Sequence, residues 1–446
     1  MKKIVSILLV VMMISTFFVG CSSNKASEDG NGKKNDVTDN TDGDSDKKDE
    51  ITEITFMCLP AWATALETVV EEYKNETGVK VNIESYPFGE LMDAIEVKIG
   101  SGSKDYDVFL VDGPNVAAYV KRGYIVSLED VITTEERAQY NPPLIAQSTW
   151  DNTFYAAPVF DSSQMLYYNT ALLAEAGITI PENDAENRLT YEQIADIAKK
   201  VQDTLDADGS RGIFGAEFQQ VGRTYQMNML ANSKGGLNIG TDGYTVEGVL
   251  NGPEWMEALT WYQEQVNAGI FTKGIAPNEV NSYFYSGKMV FEIAGGDLVR
   301  TCLDNEFSDY EYTYAPAFEG YEEFAATPCG SWAVGINAAS VKQEAAAEFV
   351  RYISLGKGND VLVDLVGDLP ARSALYDNIP EGKEHYTIAK YELTNSGVVR
   401  AVTPGFSEYN TVIASMWENI RNGSDVASTV EGAISDINRA MEVHKQ

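Results

Sequence analysis

The sequence predicts an α/β protein whose chain is long enough for two separate cores. Short β-like runs alternate with stretches of helical spacing from residue 51 onward. The fully apolar run Val108–Val111 is typical of a strand in a parallel sheet that is covered on both faces. About 395 residues follow residue 50, which is long for one core and sufficient for two.

The first part of this pattern is a β-α-β-α-β unit. Ile54–Cys58 is β-like, and the helical stretch Ala65–Tyr73 follows it with its apolar residues on one face. A second β-like run, Val79–Tyr86, leads through another helical stretch to Val108–Val111. This order predicts a doubly wound sheet, in which ligands collect at the carboxyl ends of the strands. Asp112 lies at such an end.

The rest of the chain continues the alternation of strands and helices. We predict further strands over Phe154–Pro158, Met165–Asn169, Met289–Ile293 and Trp332–Ile336. We predict further helices over Ala171–Ala176, Tyr191–Leu205, Arg223–Ala231, Glu254–Asn267, Val341–Ile353, Asn359–Val366, Tyr409–Ile420 and Val426–Met441. The sequence shows no repeat of the solenoid type.

The N-terminal residues have the composition of an export signal. Lys2 and Lys3 precede an apolar run that ends at Phe18, and a small residue comes directly before Cys21. This pattern predicts a lipoprotein signal peptide over residues 1–20, with a plain cleaved signal as the alternative. On the first interpretation Cys21 becomes the acylated N-terminal residue.

The segment that follows and the overall charge restrict the partners. Residues 21–50 contain too few large apolar side chains to offset their ordering entropy, so we expect a disordered acidic tether. After the signal, no stretch approaches the roughly 18 apolar residues of a transmembrane helix, so the lipid is the predicted membrane attachment. The formal net charge of −34 argues against nucleic acid as a partner but allows a cationic ligand.

The sequence carries no recognisable catalytic or metal-binding pattern. It lacks the nucleophile elbow, the phosphate loop, the zinc-protease helix and the dinucleotide turn. His385 and His444 are the only histidines, which argues against a histidine-based metal site. Cys302 and Cys329 either form one disulfide or remain buried thiols like Cys58. We therefore predict no cofactor, no metal and no catalysis.

Several weak motifs occur in one order along the chain. They are Asp105–Val108 with Arg122–Tyr124, Tyr167–Ile178, Phe284–Met289 and Gly335–Ser340. Together they resemble the extracellular solute-binding proteins of family 1, the lipoproteins of carbohydrate ABC importers that include maltose-binding protein. The resemblance extends over nearly the whole chain after the tether.

The resemblance implies a two-lobe, periplasmic-binding-protein-like fold of type II with hinge crossings. It places lobe one in residues 51–158 and 289–331, and lobe two in residues 159–288 and 332–446. It also implies a monomer that captures a sugar or oligosaccharide and delivers it to the permease subunits of an ABC transporter. A protein of the same fold for a polyamine or another cation is the first alternative, which the acidity favours. A lipid-anchored surface hydrolase is the second, which the missing catalytic motifs disfavour.

Candidate ligand-binding residues follow from this resemblance and from positions at strand and helix ends. Sugars need aromatic faces for their C–H surfaces and polar groups for their hydroxyls. Core packing is the alternative for the three aromatic candidates Trp62, Tyr225 and Trp332. The maltose-binding member of the family carries Trp where Asp297 stands, which suggests a hydroxyl or amine contact here. The predicted site comprises Trp62, Asp112, Asp161, Tyr225, Gly296, Asp297, Trp332, Arg372 and Tyr409.

The lipoprotein signal yields the first testable prediction. We expect Cys21→Ala to abolish acylation and to release the protein from the membrane fraction, because the acylated thiol is then missing. Metabolic labelling with a palmitate analogue measures this, with Cys58→Ala as the matched control that keeps its label. An N-terminal label on the Cys21→Ala protein would contradict the prediction.

Overall fold

Two clusters of buried apolar side chains, each built on its own sheet, organise the chain. The computed structural model describes residues 51–445 except 182–183, 331, 378 and 380–381. The predicted signal peptide, Cys21 and the predicted tether therefore lie outside the described residues.

The strands of the described chain are, in order, β1 Glu53–Cys58, β2 Lys80–Ser85, β3 Val108–Asp112, β4 Thr149–Trp150, β5 Thr153–Phe154, β6 Ala157–Pro158, β7 Phe160–Asp161, β8 Gln164–Asn169, β9 Phe214–Phe218, β10 Met289–Gly295, β11 Tyr310–Thr313, β12 Thr327–Cys329, β13 Trp332–Ile336, β14 Leu369–Pro370 and β15 Gly397–Val399. The α-helices are α1 Pro60–Thr77, α2 Phe88–Ala94, α3 Val116–Lys121, α4 Thr134–Arg137, α5 Pro142–Gln147, α6 Thr170–Glu175, α7 Tyr191–Leu205, α8 Thr224–Met227, α9 Met229–Asn232, α10 Pro253–Asn267, α11 Val280–Tyr285, α12 Asp297–Asp304, α13 Gln343–Ser354, α14 Lys357–Val366, α15 His385–Asn395, α16 Phe406–Arg421 and α17 Val426–His444.

The first lobe is built on a five-stranded sheet in the order β2-β1-β3-β13-β6. β1 pairs in parallel with β2 and with β3, as the β-α-β-α-β pattern predicts. β13 is antiparallel to β3, and this register sets Trp332 opposite Asp112. Helix α1 begins at Pro60 and buries one apolar face that includes Leu66 and Val69. The carboxyl end of β3 and the start of β13 thus meet at one edge of the sheet.

The second lobe is built on a four-stranded sheet in the order β11-β8-β10-β9. β10 is antiparallel to β8 and parallel to β9. All of its residues are buried, so the strand is covered on both faces. The helices α7, α10, α16 and α17 contribute buried apolar residues to the same core.

Three strands lie in the opposite lobe from the one that the sequence analysis assigned. β11 pairs with β8, so Tyr310–Thr313 belongs to the second lobe and its assignment to lobe one is wrong. β10 pairs with β8 and β9, so Met289–Gly295 belongs to the second lobe and the assignment of this segment to lobe one is wrong. β13 pairs with β3 and β6, so Trp332–Ile336 belongs to the first lobe, and the assignment to lobe two is wrong. An apolar strand fits either core, because its own residues do not specify the sheet that it joins.

The chain crosses between the two lobes between β6 and β8, between β11 and β13, and after β14. β7 and β14 form a two-stranded antiparallel pair within these crossings. Asp161 of β7 is only 3% exposed. Its carboxylate accepts hydrogen bonds from the N–H groups of Ser162 (2.8 Å) and Gly330 (2.9 Å) and from Nδ2 of Asn141 (2.8 Å). Burial raises the pKa of Asp161 to about 6, against the lowering effect of these three donors.

Gly330 is required at this crossing by its backbone and by its surroundings. Its φ of 92° lies in the left-handed region that favours glycine. A Cβ atom at this position would stand 2.3 Å from the side-chain amide of Gln147. That amide donates to the carbonyl oxygen of Cys329, so it cannot move away freely. A side chain at residue 330 would therefore disturb the crossing that Asp161 holds.

A carboxyl group without a hydrogen-bond partner is buried in the middle of the second sheet. Glu292 of β10 is fully buried, and neither of its carboxyl oxygens has a hydrogen-bond partner within the described part of the chain. Its neighbour across the parallel pairing is Glu217 of β9. Burial, with Asp297 and Glu217 nearby, raises the pKa of Glu292 well above its ordinary value. The folded protein therefore keeps the proton of Glu292 up to a higher pH than the unfolded chain does.

This buried carboxyl predicts a stability that falls as the pH rises above about 4.5, where the unfolded chain ionises at Glu292 and the folded chain does not. We expect Glu292→Met to raise the free energy of unfolding at pH 7, and to raise it less at pH 5. The difference between the two pH values is at most about 1.4 kcal/mol per pH unit. Urea denaturation measures it, with the exposed Glu67→Met as control. Equal gains at both pH values would contradict the prediction.

Candidate ligand-binding cleft

A cavity of about 840 Å³ lies between the two lobes. Side chains from the first lobe line one wall, among them Phe88 and Trp332. The other wall comes from the second lobe and includes Tyr225 and Asp297. Residues of the crossings, such as Asp161, also line the cavity. This is the position that the carboxyl-end rule for open α/β sheets predicts for a ligand.

Aromatic side chains form one end of the cleft. Phe88, the first residue of α2, is 46% exposed although it is a large apolar side chain. Its ring lies edge-on to Trp332, with 5.8 Å between centroids, and the Arg223 guanidinium stands 5.4 Å from its centroid. Trp332 in turn packs edge-on against the buried Trp62. An exposed aromatic surface that is held in place from behind is suited to stack on an apolar face of a ligand.

An ion pair occupies the middle of the cleft. Arg400, which follows β15, pairs through its guanidinium with both carboxylate oxygens of Asp112. The same guanidinium donates to the carbonyl oxygen of Gly330 (3.0 Å) and lies 5.4 Å from the centroid of the Tyr225 ring. The Tyr225 hydroxyl accepts a hydrogen bond from Nε2 of Gln164 (2.8 Å). Asp112 is therefore already paired, and a ligand that binds it must share it with Arg400.

The opposite end of the cleft is polar and acidic. Asp297 accepts a hydrogen bond from Nε2 of Gln219 (2.9 Å). Desolvation raises the pKa of Asp297, and the hydrogen bond from Gln219 partly offsets this rise. Asp368 stands nearby, and burial together with the charge of Asp297 raises the pKa of Asp368 to about 6. Gly296 contributes backbone to this end, and a Cβ atom there would stand 3.1 Å from the ring of His385.

His385 lies at the start of α15, and a buried ion pair fixes that helix. Glu392 of α15 accepts from the Arg188 guanidinium (2.9 Å) and from the N–H group of Ala315 (2.7 Å). His385 is 7% exposed and packs edge-on against Tyr386. Burial lowers the pKa of His385 to about 4, so the ring is neutral at pH 7. Its Nδ1 atom has no hydrogen-bond partner within the described residues.

Most of the residues predicted from the sequence line this cleft. The residues that do so are Asp112, Asp161, Tyr225, Gly296, Asp297 and Trp332. Their contribution to ligand binding stays a prediction.

The structure places the other three predicted residues elsewhere. Trp62 is 2% exposed because it lies on the buried face of α1, which begins at Pro60, and its ring packs on Phe160. Arg372 donates to the side chain of Asn359 and the carbonyl oxygen of Leu355, outside the cleft.

Tyr409 is the third of these corrections. It lies on the buried face of α16 at helical spacing from Ile413 and Met416, and its hydroxyl donates to the carbonyl oxygen of Asn238 (2.6 Å). The helical spacing that the sequence shows for this residue indicates core packing.

The sequence analysis missed several lining residues, namely Phe88, Arg223, Asp368, His385 and Arg400. Phe88 follows the second strand of the β-α-β-α-β unit, so the rule that selected Asp112 also selects it. The other residues lie in helices or loops without a distinguishing local pattern, and only the tertiary fold brings them together.

The structure also locates the cysteines and the other residue types that could bind a metal ion. Cys58, Cys302 and Cys329 are free and buried, which confirms the thiol interpretation over the disulfide. Between residues 51 and 445, apart from the gaps in description, no group of three or more His, Cys, Asp and Glu side chains is placed to hold a metal ion. No helix of that part of the chain has the length and apolar character to cross a membrane.

Comparison with known proteins gives consistent matches. The family model of the bacterial extracellular solute-binding proteins matches residues 60–355. A maltooligosaccharide ABC transporter solute-binding lipoprotein of Streptococcus pneumoniae is 24% identical over 333 residues, which are 73% of this chain and 73% of that protein. A periplasmic protein of Agrobacterium fabrum that binds sn-glycerol-3-phosphate is 25% identical over 269 residues, 59% of this chain and 57% of that protein.

A solved structure shares the fold. The ABC substrate-binding protein from Listeria monocytogenes in complex with cycloalternan superposes with a TM-score of 0.72 at 22% identity, over 88% of this chain and 100% of that chain. This likeness confirms the two-lobe α/β fold that the sequence predicts.

Proposed function

Because the chain belongs to the bacterial extracellular solute-binding proteins, we propose that it captures a sugar or oligosaccharide and delivers it to an ABC importer. The observation that carries this proposal is the composition of the cleft. An exposed aromatic surface, Phe88 with Trp332, stands at one end, and hydrogen-bonding side chains line the rest. Sugars need both, because their C–H faces stack on aromatic rings while their desolvated hydroxyls require partners.

The charge of the cleft helps to select among solutes. The lining carboxylates outnumber the guanidinium groups, since Asp93, Glu96, Asp112, Asp161, Asp297 and Asp368 stand against Arg122, Arg223 and Arg400. Two of the three guanidiniums are already paired, Arg122 with Glu96 and Arg400 with Asp112. This balance disfavours a phosphorylated ligand such as the one named for the Agrobacterium relative. The pneumococcal and Listeria relatives, whose names state carbohydrates, support the sugar assignment.

The rest of the proposal concerns the protein outside the cleft. We propose that Cys21 carries a lipid that anchors the chain at the extracytoplasmic face of the cell membrane, with residues 21–50 as the tether. The protein acts as a monomer that docks on the permease subunits and performs no reaction on its ligand. A protein for a polyamine or another cation is the second candidate, which the excess of cleft carboxylates favours.

The aromatic end gives the test of the sugar proposal. We expect calorimetric titration to detect binding of at least one member of a panel of neutral, acidic and amine-bearing oligosaccharides. Phe88→Ala and Trp332→Ala should each weaken that binding about thirtyfold, because truncating a contact aromatic commonly costs about 2 kcal/mol or more. Phe324→Ala is the matched control, since Phe324 has nearly the same exposure, 44%, and lies outside the cleft.

Three readouts separate the outcomes. Melting temperatures show whether Trp332→Ala loses affinity or only stability, since Trp332 also packs on Trp62. Chromatography of each incubated sugar reveals any hydrolysis. Unchanged affinity in both aromatic variants would contradict the site, turnover of the sugar would favour the hydrolase, and spermidine binding without sugar binding would favour the cation candidate.

A further inference from the structure

Asp297 and Asp368 are two of the cleft carboxylates that have no positively charged hydrogen-bond or ion-pair partner among the described residues. Glu96 pairs with Arg122, Asp112 pairs with Arg400, and Asp161 accepts from three N–H donors. Asp297 has one neutral partner, the amide of Gln219. Asp368 has no side-chain hydrogen bond or ion pair to any described residue of the chain. Both carboxylates line the same end of the cleft, so they face whatever occupies it.

The side chains around this pair do not neutralise it. His385 is buried and uncharged at pH 7, as described above, and it lines the cavity beside Gly296. Behind Asp297 stand the hydroxyl of Tyr167, which donates to the carbonyl oxygen of Gly295, and the buried carboxyl of Glu292, whose pKa is raised.

Asp368 is likewise flanked by groups without a positive charge. The hydroxyl of Tyr386 donates to its backbone carbonyl oxygen rather than to its carboxylate. The cation nearest in sequence, Arg372, pairs with Asp360. Lys383, which lies over the ring of Tyr386, pairs with Asp364. The negative charge of Glu384 acts on the His385 ring. None of these groups therefore supplies a positive charge to Asp297 or Asp368.

We infer that Asp297, Asp368 and His385 bind a positively charged amino group, so that the ligand is an amine-bearing sugar rather than a neutral one. This inference rests on the proposed sugar-binding function. A hydroxyl brings donors without charge and leaves two carboxylates that repel each other in a partly desolvated cleft. An ammonium group brings three donors and a positive charge, which relieves that repulsion. Gly296 packs closely on the His385 ring, since a Cβ atom at residue 296 would stand 3.1 Å from that ring, and both residues line the cavity.

The experiment compares three trisaccharides by calorimetric titration at pH 7. They are a glucosamine trisaccharide, its N-acetylated counterpart, which lacks the charge, and maltotriose. We expect the free amine form to bind at least about tenfold more tightly than the N-acetylated form. This preference should shrink at high salt, because ions screen an attraction between charges that water can reach.

Substitution of the two carboxylates tests whether they cause the preference for the amine-bearing sugar. In the Asp297→Asn/Asp368→Asn protein we expect the amine form to lose far more affinity than the N-acetylated form, so that the tenfold difference disappears. Asp196→Asn, an exposed aspartate far from the cleft lining, should keep the difference. Thermal melting checks that the double variant is folded. If it is not, the single variants give the same comparison.

The outcomes separate this inference from the proposed function. Equal affinity for the amine and N-acetylated forms, or binding of maltotriose alone, would overturn the inference and leave sugar binding in place. A preference for the amine that survives in the double variant would also overturn it, because another site would then carry the recognition. Absence of binding across the whole oligosaccharide panel would contradict the proposed function, and the inference with it.

Discussion

The buried carboxylate of Asp161 holds together the segments that connect the two lobes. It lies in the first crossing, yet one of its donors, Gly330, belongs to the second, and β7 pairs with β14 of the third. A buried charge without such partners costs several kcal/mol, so these donors are a condition for the crossings to pack as they do. Because the chain passes between the lobes at these crossings, the hydrogen bonds of Asp161 join segments that connect the two walls of the cleft.

The composition of the cleft follows from that placement. The carboxyl end of β3 and the start of β13 bring Asp112 and Trp332 to one wall. The second lobe supplies Arg400 to Asp112, so an ion pair joins the two walls of the cleft. Glu292 behind the acidic end shows that the second sheet tolerates a buried, uncompensated carboxyl. A ligand that satisfies both ends needs apolar ring faces and hydrogen-bond donors, which are the features of a sugar.

Much of the fold could be predicted from the sequence, because local patterns determine local structure. The helix Tyr191–Leu205 and the strand Trp332–Ile336 have the bounds that their apolar spacing indicates. The sheet that a strand joins depends on long-range pairing, and this is why β10, β11 and β13 were assigned to the wrong lobes. Helix α15 shows no marked apolar face, so its spacing gave no signal, and His385 was missed with it.

The candidate site was predictable where a residue ends a strand. Asp112, Gly296 and Asp297 follow apolar strands, and the structure places all three at the cleft. Arg400 could not be found in this way, since its partner Asp112 lies far away in the sequence and no local pattern connects them. Trp62 was predicted at the cleft but lies in the core, because helix α1 begins at Pro60 and places the ring on its buried face.

The central claim is that a ligand binds between two lobes that close over it about the hinge at Asp161. A ligand favours the closed form by its differential affinity for that form. Small-angle X-ray scattering of the mature chain, with and without a saturating oligosaccharide identified by calorimetry, measures this directly. The account predicts a smaller radius of gyration with the sugar bound. An unchanged radius at saturation would contradict it.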